Sequence, residues 1–75
     1  MKRVYVSERG QFDVYGRFHG HGVIGVVSDK KLASGYPIRH GCYRHKVSID
    51  SLGFSITYKS CCSDKGYRIT AIDAY

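Results

Sequence analysis

The feature that most constrains this chain is a period of two. Phe54, Ile56 and Tyr58 alternate with Ser55, Thr57 and Lys59, and Tyr67, Ile69 and Ala71 repeat the spacing. Successive side chains on a strand point to opposite faces, so this pattern makes strands with one apolar and one polar side. Residues 3–7 alternate in the same way, and residues 42–50 put Val47 and Ile49 on one face. Ser51-Leu52-Gly53 and Ser63-Asp64-Lys65-Gly66 read as the turns between strands. Glu8-Arg9-Gly10-Gln11 reads as a further tight turn. After it, Phe12, Val14, Gly16 and Phe18 share one face of a strand, with Asp13, Tyr15, Arg17 and His19 on the other.

Gly16, Gly20, Gly22 and Gly25 follow at short intervals, and glycine inside a strand marks a bend or a bulge. The apolar run at residues 23–27 reads as a central strand. Only residues 28–35 suggest a helix. Ser28 or Asp29 serves as its N-cap, Gly35 is its C-terminal glycine, and Pro37 closes it. The expected fold is mainly β. It is one small basic domain over residues 1–75, a curved antiparallel sheet or small barrel of five to six strands. At most one short helix falls near residues 29–34.

At 75 residues the chain has room for one domain. A domain this small buries only ~60% of its unfolded surface, which makes self-association into a homodimer a reasonable expectation. There is no long apolar run and no basic amphipathic helix, so no membrane contact is expected. The two basic residues after Met1 precede no hydrophobic stretch of signal length, which points to the cytoplasm. The three cysteines, two of them adjacent, suit a reduced, disulfide-free state.

The net charge of +6 favours acidic partners. From Lys30 to Ile49 the chain carries Lys30, Lys31, Arg39, Arg44 and Lys46 and no acid, with Tyr36, Tyr43, His40 and His45 interleaved. Cations that neutralise phosphates beside rings that stack on bases are the composition of a surface for single-stranded nucleic acid. Arg17 and Arg68 would extend this patch into a groove if the fold brought them to the same face. The leading expectation is therefore a non-enzymatic protein that binds nucleic acid through its basic, tyrosine-rich surface, the loop and strand around residues 30–46. The alternative is a small inhibitor or adaptor of the mobile-element type, acting on a larger host enzyme or nucleoprotein through an acidic protein surface. That reading draws on the same tyrosines and arginines, and on edge strands that can extend a partner's sheet.

Two chemical readings rank below these. His40, Cys42, His45 and Cys61 could supply four zinc ligands, with Cys42-x-x-His45 as the short-spaced pair. Consecutive strand residues face opposite ways, so Cys61 and Cys62 cannot both join unless the chain turns there. His19 or His45 could serve a small ribonuclease-type toxin, with arginines supplying the cation near the transition state. No phosphate-binding glycine loop is present, no dinucleotide fingerprint appears, and the six acids are scattered.

Overall fold

The computed structural model describes residues 2–50 and 53–74. Five strands and one helix follow in the order β1 (Lys2–Phe12), β2 (Phe18–Val27), α1 (Lys30–Arg39), β3 (Cys42–Asp50), β4 (Gly53–Ser60) and β5 (Lys65–Ala74). The strands form a single sheet in the order β2-β1-β5-β4-β3, antiparallel at every step and not closed into a barrel. α1 carries the chain from one edge of this sheet to the other, across one face. Among the described residues, no helix is long and apolar enough to cross a membrane.

The period-two pattern decides which side chains the helix covers. Tyr5, Ile56, Tyr58, Ile69 and Ala71 are buried on the helix side and pack with Ala33 of α1. Register brings them together, with Tyr5 beside Ala71, Ile56 beside Ile69, and Tyr58 beside Tyr67. Val27, Cys42, Phe54 and Tyr67 close the cluster at its rim.

α1 is a weak helix by its own sequence. Lys30 and Lys31 sit at its positive N-terminal end, and Gly35 and Pro37 lie inside it. Asp29 caps it by accepting a 2.8 Å bond from the Lys31 amide. Gly35 does not end it, and Pro37 does not close it. The helix runs on to Arg39 and stops at Gly41, whose φ of 76° suits glycine. Pro37 is fully buried, so packing against the sheet offsets its local cost.

Three further expectations change. Glu8-Arg9-Gly10-Gln11 is not a turn, because β1 continues through it to Phe12. The turn lies at residues 13–17, where the alternation predicts strand. Residues 23–27 lie on an edge, since β2 pairs with β1 alone, and Val23 and Val26 are 61% and 59% exposed. The glycines of β2 do accompany irregularity, with register shifts that leave Ile24 and His21 without partners. Residues 51–52 of the expected Ser51-Leu52-Gly53 turn lie outside the described residues.

Candidate nucleic-acid interface

The face opposite α1 carries no covering element among the described residues. Its residues are the other half of each alternation: Glu8 on β1, Arg68 and Thr70 on β5, Ser55 and Thr57 on β4, and Ser48 on β3. A groove of about 400 Å³ runs along this face. Arg17, His45, Lys46 and Arg68 bring positive or protonatable groups to it. Ser48, Ser55 and Thr57 line it with hydroxyls, and Phe12, Tyr15 and Phe18 supply rings.

Each of these side chains has a local cause. Arg44 pairs with Tyr58 and Lys46 with Thr57, so His45 is an extra residue in β3. Such a bulge places two successive residues against one partner. His45 and Lys46 therefore both reach the open face, where a regular strand would have sent them apart. The His45 ring meets Phe12 edge-on at 5.0 Å, and Phe12 in turn meets Phe18 at 5.4 Å.

Arg17 and Tyr15 are set by the loop at residues 13–17. The Asp13 carboxylate accepts from the amides of Tyr15 and Arg17, both at 2.9 Å, and Gly16 takes a φ of 79°. His19 Nε2 donates to the other Asp13 oxygen at 2.8 Å. These bonds hold the Asp13 carboxyl below the usual range, the His19 bond first and the Arg17 amide second. Arg17 lies over the Tyr15 ring at 5.9 Å, and Tyr15 is 82% exposed at the rim of the groove.

Arg68 is already engaged. Its Nε and Nη2 donate to the two carboxylate oxygens of Glu8 at 2.9 and 3.1 Å, and its guanidinium lies 5.0 Å from the Phe18 ring centre. Arg17 and Lys46 make no ion pair among the described residues.

The residues singled out from the sequence divide between the two faces. Arg17, Lys46 and Arg68 meet in the groove, and Tyr43 lies near it with its ring 6.5 Å from His45. Lys30, Lys31, Tyr36 and Arg39 belong to α1, and Arg44 pairs with Tyr58 on the helix side. Tyr36 holds the helix to the sheet rather than offering a free ring. It meets Tyr67 edge-on at 5.3 Å and accepts from Arg9 at 3.3 Å. Burial, with Tyr36 second, pushes the Tyr67 hydroxyl up. Of the loop and strand expected around residues 30–46, the strand is β3, and the loop is instead helix α1.

The zinc candidates also divide. Cys42 packs on the helix-side core, where burial pushes its thiol up, while His45 lies on the open face. Cys61 and Cys62 sit together in the β4–β5 turn, sulfur to sulfur 3.1 Å. No three His, Cys, Asp or Glu among the described residues gather as a metal site.

Phe12, Phe18, Tyr15, Ser48, Ser55 and Thr57 were absent from the sequence-based set. A signal for the hydroxyls was present: in β4 and β3 they occupy the face opposite Phe54, Ile56, Val47 and Ile49. No known protein family, curated protein or solved structure matches this chain.

Proposed function

We propose that this protein binds single-stranded nucleic acid along the open face of its sheet. The observation that carries the reading is the groove itself, where cations from three separate segments meet over aromatic rings and hydroxyls. Arg17 and Lys46 neutralise phosphates, and Arg68 presents the part of its guanidinium that Glu8 leaves free. Tyr15 and Tyr43 stack on bases at the two sides of the groove. Ser48, Ser55 and Thr57 bond sugar or phosphate oxygens.

Binding rather than catalysis fits the duties of Asp13. That carboxylate organises two backbone amides of the loop besides holding His19. A second reading, an acidic protein surface, draws on the loop tip. There Val14 and Tyr15 are 93% and 82% exposed beside Arg17, as in an aromatic–arginine hot spot.

The test is fluorescence anisotropy with labelled single-stranded DNA, single-stranded RNA and duplex DNA, titrated from roughly 50 to 300 mM salt. Micromolar binding that weakens log-linearly with salt is expected, with single strands preferred. Arg17→Glu and Lys46→Glu should each weaken it about tenfold, and Lys31→Glu and Arg39→Glu less than about twofold. Equal losses from the two faces would reject the groove. No binding at the lowest salt would transfer the surface to the acidic-protein reading.

A further inference from the structure

We infer that a second copy of this chain pairs with the outer edge of β3. The two chains then form one continuous sheet.

The argument begins with the two edges, β2 and β3. An open strand edge presents unpaired amides and carbonyls that can template another strand, and proteins blunt such edges with bulges, charge or irregularity. β2 is blunted by its two register shifts, at His21 and Ile24. β3 has one bulge, at His45, and from Lys46 to Asp50 its register is regular. The regular part also exposes apolar side chains. Val47 is 48% and Ile49 84% exposed, and neither is covered by α1.

The sequence of this part is Lys-Val-Ser-Ile-Asp. Pair it antiparallel with itself about Ser48. Val47 then falls opposite Ile49 of the second copy, and Lys46 falls opposite position 50, an aspartate. Symmetry repeats both pairs on the other side of the axis. This register matches apolar to apolar and positive to negative at once. Cross-strand pairs of these two kinds are the unit of sheet stabilisation. A two-fold axis normal to the sheet keeps each face on its own side. Val47 and Ile49 therefore meet on the helix side, and Ser48 meets Ser48 of the second copy on the open side. The charge match singles out a second copy as the occupant, because it lies within one five-residue segment read against itself.

The dimer stands without the nucleic-acid reading, but one consequence rests on it. Lys46 and Ser48 line the groove as well as the edge. In the dimer the two grooves lie on one face and meet at the axis, making a single track for a longer strand.

The experiment is sedimentation equilibrium of the full chain across a wide concentration range, without nucleic acid. A monomer–dimer equilibrium is expected. Lys46→Asp alone and Asp50→Lys alone should each raise its midpoint about tenfold or more, because symmetry counts each like-charge pair twice. An equimolar mixture of the two variants should dimerise again, since each supplies the charge the other lacks. The double variant Lys46→Asp/Asp50→Lys should dimerise with itself, which controls for damage to the fold. A chain that is monomeric throughout overturns the inference. So does a dimer that ignores both single reversals, or one that Val26→Lys on β2 dissolves instead. A dimer with no affinity in the anisotropy titration would remove the proposed function alone, and a monomer that binds would remove this inference alone.

Discussion

The same strands build two unlike faces. Along β4, Phe54, Ile56 and Tyr58 turn to the helix while Ser55 and Thr57 turn to the groove. On β5, Ile69 and Ala71 are nearly inaccessible, and between them Thr70 looks the other way. One face is fixed by close packing, in which a lost methylene is felt. The other holds a groove floored by buried Phe12, and the charges and hydroxyls around it can change without disturbing the helix-side core. A domain this small has little interior to spare, and the helix side takes most of it, with Phe12 buried in the floor of the groove on the other side.

The largest expected effect tests the covered face. Ile69→Ala should lower the unfolding free energy by about 3 kcal/mol in urea denaturation, because it empties the centre of the cluster. Thr70→Ala, its neighbour on the open face, should cost less than about 1 kcal/mol. Similar losses at both positions would erase the distinction between the faces.

Gly66 comes next. A Cβ there would run into the Tyr58 carbonyl and the Phe12 ring. Gly66→Ala should therefore cost roughly 1–3 kcal/mol by the same assay. The loss would show that the floor of the groove, around Phe12, is as tightly built as the core.

Glu8→Gln sharpens the comparison from the functional side. It releases Arg68 from its two-pronged bond and removes a negative charge beside the groove. Affinity for single strands should rise about threefold, with a salt slope steeper by about one phosphate. Unchanged binding would mean that Arg68 contributes structure only.

Acid should open the loop before it opens the sheet. The folded Asp13 carboxyl titrates below its unfolded value of about 3.9, so its bonds contribute fully above that value. Their contribution is lost as pH falls through the lower, folded value. Amide resonances of Tyr15 and Arg17 should shift together in acid, as pH falls through the lowered Asp13 value. Asp13→Asn should abolish that shared titration.

The smallest effect belongs to the exposed Arg3–Asp73 pair, 3.0 Å apart. Asp73→Asn should change stability by less than about 0.5 kcal/mol.

The strands after residue 41 were legible because alternation reports the two faces, and β4, β5 and β3 from Lys46 onward keep it. The first third was harder. Phe12, Val14, Gly16 and Phe18 alternate as a strand would, yet Asp13 folds that stretch into a loop through bonds from its side chain to the backbone. Periodicity does not register such bonds. The apolar run of β2 suggested a central place, but an apolar run states what a strand would bury and not how many neighbours it finds. The helix outran its signals because Gly35 and Pro37 are tolerated once the sheet lies beneath them. As for the groove, the sequence points to Arg17, Lys46 and Arg68, but it groups Arg39 with Lys46 in one basic window although they lie on α1 and β3. Within β3, the bulge at His45 sends Lys46 to the open side and Arg44 to the helix side.

The strand order also sets the timing of folding. β1 and β2 come first in the chain, yet β1 lies mid-sheet against β5. Glu8 and Arg68, sixty positions apart, are locked together there. Contacts of such sequence separation form late, because the closure entropy of the loop is spent before they reward it. A chain leaving the ribosome would carry an early hairpin with one side unpaired until residues 65–74 had emerged. For that interval the β1 edge that β5 later covers is open to other strands.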